Sequence, residues 1–349
     1  MQCISRQLVR NIPRCPPLFR SLHFTPSAPL SGPFNYVGQS RQDYKNDQQI
    51  FKESQGAFSE SKKDEGALPH QATHTDNIAH KMRPVFDLTN RVYIVTGGTG
   101  GIGLAMSEAL AEAGGNVYCL DRNEAPGNEF YTAHERFLSN TATGTLHYKC
   151  ADVNDIHGLE AIVESIAAKK ERLDGLIAAA GVNQVSPAMD YDMGDARRLM
   201  DVNFIGVLAT ANACAKQMFR YKSPGSMCLI ASMSGLIANK GMLSPVYNSS
   251  KAAVIQLARN LSMEWSKTQA DGSGGIRVNA LSPGHVLTSM VRKTFEEAPG
   301  VQETWEAENL MGRLGDPSEF KGAALFLLSN ASSFMTGNNL VIDGGHTAW

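Results

Sequence analysis

Val92-Tyr93-Ile94-Val95-Thr96-Gly97-Gly98-Thr99-Gly100-Gly101-Ile102-Gly103 decides how the rest of the chain is read. Val92–Thr96 is a short apolar run of the kind that forms a strand buried on both faces. A helix is expected to begin near Leu104. Between them the glycines allow a tight turn, let the backbone approach a pyrophosphate and pack helix onto strand. The free N–H groups and the dipole at the helix start then hold phosphate charge. Two registers fit: Gly98, Gly100 and Gly103 match G-x-G-x-x-G, while Gly97, Gly101 and Gly103 match G-x-x-x-G-x-G. A glycine loop alone is weak evidence. Here the strand–loop–helix context accompanies it, and Asp121 follows about 20 residues later at the end of the next strand. A carboxylate there hydrogen-bonds the adenosine ribose and repels a 2′-phosphate, which favours NAD over NADP. The neighbouring Arg122 softens that choice.

Outward from this loop, short apolar runs alternate with helical patterns. Strands are expected at Val92–Thr96, Asn116–Leu120, Thr145–Cys150, Leu176–Ala179, Met227–Ala231, Arg277–Ala280 and Leu340–Ile342. Helices are expected within Met106–Ala113, His157–Lys169, Ala196–Arg220 and Ala252–Lys267. Such alternation predicts an α/β fold, a doubly wound Rossmann-type parallel sheet of about seven strands in a single domain over residues 85–349. No internal repeat is visible.

The 349 residues carry a net charge of -2 and are 42% hydrophobic, enough for a substantial core. That charge gives no electrostatic case for nucleic acid or an anionic membrane, and no apolar run approaches the roughly 18–20 residues of a membrane span. Cysteines at 3, 15, 119, 150, 214 and 228 show no CxxC pair or His/Cys metal spacing and read as small buried hydrophobes in a reducing compartment. No metal site is predicted. Residues 1–30 read as a mitochondrial transit peptide: Arg6, Arg10, Arg14 and Arg20 lie among Ser, Pro and apolar residues, and no acid precedes Asp43. Pro13, Pro16 and Pro17 work against its amphipathic helix. Matrix localisation is the expectation, with the cytoplasm as the alternative. Residues 31–84 are polar, without period, and read as a disordered linker. Within it His70, His74 and His80 lack a Cys or paired carboxylate to complete a metal site.

Far downstream lies Tyr247-Asn248-Ser249-Ser250-Lys251. On a helix, Tyr247 and Lys251 share one face. An ammonium beside a phenol lowers its pKa, which suits proton exchange with an alcohol or carbonyl. By itself this spacing more often marks an amphipathic surface. Joined to the loop, it resembles the short-chain dehydrogenase/reductase family across about Phe86 to Trp349. Thr96, Gly97, Gly101, Ile102 and Gly103 resemble its cofactor loop, Asp152-Val153 its adenine-contacting pair, and Ala180-Gly181 the end of its Asn-Asn-Ala-Gly segment. Asn203 and Ser232 resemble the remaining catalytic members, and Pro283-Gly284 with Thr288 the loop gripping the nicotinamide. Ile230-Ala231-Ser232-Met233-Ser234-Gly235 and Asp343-Gly344-Gly345-His346 further resemble fungal polyol dehydrogenases such as D-arabinitol 2-dehydrogenase, mannitol 2-dehydrogenase and sorbose reductase.

The resemblance implies hydride transfer between NAD(P) and a secondary alcohol or ketone, for example D-arabinitol and ribulose. Tyr247 would be the general acid/base. Lys251 would also bind the nicotinamide ribose, Ser232 would hold the reacting oxygen, and Asn203 would hold a water linking Lys251 to solvent. Ser234 has the commoner family spacing to Tyr247, but Ser232 sits in the polyol-branch motif and is preferred. His285, Gln184, Ser186 and Asn239 are substrate-facing candidates by their loops, and Leu287–Leu314 with Trp305 is expected to form a helical lid. A homotetramer is implied, with the helices around Ala196–Arg220 and Tyr247–Lys267 at an interface. The chain departs from the family at Ala178 and Ala179, which replace asparagines, and at Asn239-Lys240-Gly241-Met242, which lacks the branch's Pro-Gln pattern. The first removes a family support of the central sheet, the second leaves the sugar open, and a 3-oxoacyl or polyketide-type ketone is the alternative substrate. A non-catalytic cofactor-binding sensor is the alternative from another class.

Overall fold

The computed structural model describes residues 85–139, 144–240, 242–297 and 300–349. The expected transit peptide, the linker, Cys3, Cys15 and Gly241 lie outside them. Seven strands form: β1 Val92–Thr96, β2 Asn116–Asp121, β3 Thr145–Cys150, β4 Gly175–Ala178, β5 Ser226–Ile230, β6 Arg277–Pro283 and β7 Asn339–Ile342. They pair in parallel in the order β3-β2-β1-β4-β5-β6-β7. The winding direction reverses between β1 and β4, where a crevice opens outside the carboxyl ends of the strands. Register brings those ends level, since Thr96 lies opposite both Leu120 and Ala178.

Nine described helices cover the sheet: α1 Gly101–Glu112, α2 Asn128–Leu138, α3 Ile156–Ala168, α4 Met193–Met200, α5 Gly206–Arg220, α6 Pro245–Trp265, α7 Ser289–Glu297, α8 Val301–Glu308 and α9 Lys321–Leu328. Strand side chains alternate between faces. Val92 and Ile94 join Val163 of α3, Cys214 and Met218 of α5 and Val254 of α6 in one cluster. Tyr93 and Val95 join Met106 and Leu110 of α1 and Leu327 of α9 in the other. Both faces are covered, which is why β1 is apolar without alternation. Each such Leu, Ile or Val contributes about 1.5–3 kcal/mol by leaving water.

Three boundaries differ from expectation in ways that matter for the site. Helix α6 begins seven residues before Ala252, because Pro245 occupies its first turn, where a missing N–H costs nothing. The expected Ala196–Arg220 helix starts earlier, at Met193, and is interrupted by a wide π-helical turn at Asp201–Ile205. Such turns inside α-helices often mark functional sites. Among the cysteines, Cys119, Cys214 and Cys228 are buried as expected, whereas Cys150 is exposed at the end of the edge strand β3. No helix among the described residues is long and apolar enough to cross a membrane.

Candidate active site

The phosphate loop leaves β1 at the switch point, and its geometry decides between the two glycine registers. Gly97 and Gly101 take left-handed φ values of 64° and 52°, which side-chain-bearing residues rarely adopt. A Cβ on Gly103 would lie 2.2 Å from the Gly97 carbonyl oxygen. These three glycines are the G-x-x-x-G-x-G set. Helix α1 starts after Gly100 with no side-chain cap, so its first N–H groups are free for an anion. A Cβ at Gly100 would meet nothing closer than Glu129 Oε2 at 3.7 Å, so this edge of the loop is open to a ligand. These features fit a dinucleotide pyrophosphate.

The other expected cofactor residues ring the same crevice. Thr96 is buried, its carbonyl accepts the Ala179 N–H at 3.1 Å, and its hydroxyl faces the Ala180 N–H at 3.4 Å. The backbone thus ties β1 to β4, and Ala178, in place of an asparagine, is simply a core residue. Asp121 ends β2, where its carboxylate accepts the Thr99 hydroxyl and the Arg122 N–H. Asp152 stays exposed, while Val153 is buried against Gly206 at the start of α5. Ile102 is half-buried against the α1 side of the core. Gly284 donates its N–H to Ile342 O, holding the end of β6 on β7. The Thr288 Cγ2 lies 3.1 Å from the position of a Cβ on Gly101, so the loop after β6 reaches across to the phosphate loop.

Tyr247 and Lys251 do share a face of α6, but the lysine is not aimed at the phenol. Its Nζ donates to Ile230 O at 2.9 Å and lies 5.7 Å from the Tyr247 ring centroid. Burial pushes the Lys251 pKa down to about 8. Although Tyr247 as a whole is only half-buried, its phenol is desolvated, which pushes its pKa up, and a hydrogen bond with Ser232 pulls it down. The expectation that Lys251 lowers the phenol pKa is therefore corrected for this arrangement: the bond to the Ile230 carbonyl at the end of β5 holds the ammonium elsewhere. Ser232, not Ser234, is the serine at the phenol. The Ser234 hydroxyl is taken by Asn239 Nδ2 at 2.5 Å, and the Ser234 N–H donates back to Ser232 Oγ at 3.1 Å.

Asn203 sits fully buried in the π-helical turn. Its Oδ1 accepts the Val182 N–H and its Nδ2 donates to Val182 O, both at 2.9 Å, and Nδ2 also reaches Ser250 Oγ at 3.1 Å. The Ser250 hydroxyl in turn donates to Tyr247 O at 2.7 Å. The amide side chain thus ties the loop after β4 to α6, with both Nδ2 hydrogens engaged and Oδ1 accepting one bond. Between them lies Gly181: a Cβ there would stand 3.4 Å from Asn203 Oδ1 and 3.5 Å from Lys251 Nζ.

The substrate-facing candidates separate. Gln184 is held by Asp195 at 2.9 Å, and Ser186 joins its backbone N–H to Leu243 O. Asn239 is buried at a left-handed φ of 50° with Oδ1 unpartnered. His285 is buried and stacks on Trp305 of α8, with centroids 3.7 Å apart and planes 4° apart. Burial and the nearby His346 push its pKa down to about 3, so it is neutral. Trp305 also packs with Met242, from the loop before Tyr247, and with Leu314. The Leu287–Leu314 segment is helical, as α7 and α8, and α8 packs through Trp305 on the loop before Tyr247. Thr99 and Ser250 escaped the sequence reading, although Ser250 lies inside the tyrosine–lysine motif; Met242 entered it only as part of the loop departing from the family.

Residues 97–347 match the family described as Enoyl-(Acyl carrier protein) reductase. The "Short chain dehydrogenases/reductase notP'" of Aspergillus versicolor is 36% identical over 76% of this chain and 90% of that protein. The chain belongs to the short-chain dehydrogenase/reductase family. The D-arabinitol 2-dehydrogenase [ribulose-forming] of Scheffersomyces stipitis is 36% identical over 76% of this chain and 97% of that protein. A solved structure, the NADPH-dependent 3-quinuclidinone reductase of Rhodotorula rubra, superposes with a TM-score of 0.67 at 32% identity, covering 82% of this chain and 98% of that one. As a member of the short-chain dehydrogenase/reductase family, the protein is an NAD(P)-dependent oxidoreductase acting on a CH–OH/C=O pair.

Proposed function

We propose that the protein interconverts a sugar alcohol and its ketose, such as D-arabinitol and ribulose, with NAD preferred. The reading is carried by the similarity to D-arabinitol 2-dehydrogenase over 97% of that enzyme's length, joined to a Ser232–Tyr247–Lys251 set beside a dinucleotide loop. When bound, the nicotinamide supplies or takes the hydride. The chain's own residues handle the proton and the oxygen. Tyr247 Oη takes the hydroxyl proton in oxidation and returns it in reduction. The Ser232 hydroxyl holds the reacting oxygen and stabilises charge that develops on it. Lys251, its ammonium weakened by burial, leaves Ile230 O to meet the nicotinamide ribose and the phenolate. Asn203 keeps the Val182 loop and α6 in register. Thr96, Gly97, Gly101, Ile102, Gly103, Asp152, Val153, Ala180, Gly181, Pro283, Gly284 and Thr288 shape the cofactor crevice, and Asp121 binds the adenosine ribose.

A second reading, a 3-oxoacyl or polyketide-type ketone, draws on Met242 and Trp305, which give the loop before Tyr247 an apolar wall. Rates with D-arabinitol, mannitol, sorbose and an acyl-thioester ketone, each with both cofactors, discriminate. Turnover confined to the thioester would overturn the polyol reading. The reading extends to a homotetramer built on α5 and α6, tested by light scattering of the purified protein, and to the mitochondrial matrix.

A further inference from the structure

Two details at the adenosine end of the crevice go beyond the role given to Asp121. Thr99, on the phosphate loop, donates its hydroxyl to Asp121 Oδ2 at 2.6 Å. The Arg122 N–H donates to the other oxygen, Oδ1, at 2.9 Å. A carboxylate offers about four acceptor positions, so room remains for both hydroxyls of a ribose diol. The Thr99 bond settles which way that room faces.

The second detail is Glu129, in the first turn of α2. Its Oε2 is the one atom beyond the chain neighbours that a Cβ on Gly100 would meet within 4 Å, at 3.7 Å. Gly100 immediately follows Thr99. One loop therefore has two carboxylates beside it, Asp121 held by Thr99 and Glu129 beside Gly100. A ribose 2′-hydroxyl donates to such groups. A 2′-phosphate brings only acceptor oxygens and further negative charge.

We infer that Thr99 is a positioning residue for Asp121 and Glu129 a second anionic barrier, together selecting a dinucleotide with a free ribose 2′-hydroxyl over one carrying a 2′-phosphate. The inference rests on the NAD preference proposed above. Calorimetric titration of the full chain with NADH and with NADPH tests it without turnover, in wild type and in Thr99→Val, Thr99→Ser and Glu129→Gln. Thr99→Val should weaken NADH binding about five- to tenfold and leave NADPH within about twofold, while Thr99→Ser, which keeps the donor, should bind as wild type does. Glu129→Gln should tighten NADPH about three- to fivefold with NADH unchanged, a gain that shrinks as salt screens the lost charge. A wild-type preference for NADH that survives intact in both Thr99→Val and Glu129→Gln overturns the inference alone. Tighter binding of NADPH by the wild type overturns the NAD preference and the inference with it.

Discussion

Tyr247 and Lys251 pull against each other in an instructive way at the scale of single residues. Desolvation raises the phenol pKa and lowers that of the ammonium, so both groups are pushed toward neutrality before any ligand arrives. If the phenol moves the proton, Tyr247→Phe should cut kcat at least about a thousandfold while NADH affinity stays within about twofold. Single-turnover kinetics beside a fluorescence titration checks both halves. Lys251 has a cost that stability measurements can read. The gap between about 8 and its ordinary 10.5 corresponds to about 3 kcal/mol for keeping the ammonium buried. The folded pKa is the lower one, so between about pH 8 and 10.5 the unfolded chain holds the extra proton and stability rises with pH. Below about 8 the full cost is carried. Lys251→Met removes it but leaves Ile230 O without its donor, which costs about 1–2 kcal/mol. The variant should therefore be inactive yet more stable by about 1–2 kcal/mol at pH 7, an advantage fading toward pH 10. Urea unfolding at the two pH values decides: equal or lower stability at pH 7 would show that contacts of Lys251 outweigh its burial.

At the scale of elements, the interrupted α4–α5 helix carries the clearest prediction. The π-helical turn at Asp201–Ile205 rotates Asn203 into the gap between the β4 loop and α6, where its amide satisfies both backbone groups of Val182 and reaches Ser250. Asn203→Ala would strand those partners in a buried site and should cost about 2–4 kcal/mol, measured by urea unfolding. Activity should fall further than stability, because Gly181, next to Val182, lies against Lys251. Sequence pattern could not show this turn. The apolar spacing of Leu199, before the turn, with Val207, Ala211 and Cys214 after it is that of one unbroken helix, and a single inserted residue leaves no compositional mark. The start of α6 escaped periodicity for a related reason: its first turn, Pro245–Asn248, contributes no buried residue to the core. Six strands were legible to within a residue at each end, since both-sided burial writes a continuous apolar run, whereas β6 runs three residues past the expected Ala280, through Leu281-Ser282-Pro283. Among the site residues, those fixed by backbone conformation were readable: Gly97, Gly101 and Gly103 have no substitute at their angles and contacts. Thr99 was not, because a threonine in a loop looks the same whether it binds solvent or a carboxylate. The lysine's direction was equally hidden, since spacing places two residues on one face but does not say which acceptor Nζ reaches.

For the whole molecule, parallel pairing followed from the alternation of strands and helices, but the order of the strands did not, because neighbours in a sheet leave no local trace. The switch point between β1 and β4 is a property of the assembled sheet alone. Length adds a further consequence. The family match begins at residue 97, and the D-arabinitol dehydrogenase relative uses 97% of its own length on 76% of this chain. Almost nothing of that relative is left to correspond to the remaining part. Arg6, Arg10, Arg14 and Arg20, with no acid before Asp43, lie in this extra part. Catalysis and addressing should therefore separate. Residues 85–349 produced alone should keep kcat/KM within about twofold of the full chain, since every site residue lies inside them. Residues 1–84 fused to a fluorescent protein should carry it into mitochondria, and replacing the four arginines by glutamine should leave the fusion in the cytosol, because import of such segments depends on positive charge. Terminal sequencing of the protein recovered from cells is the stricter check: a chain still beginning at Met1 or Gln2 would overturn cleavage of a transit peptide. The fusion would then show separately whether the segment addresses the protein without being removed.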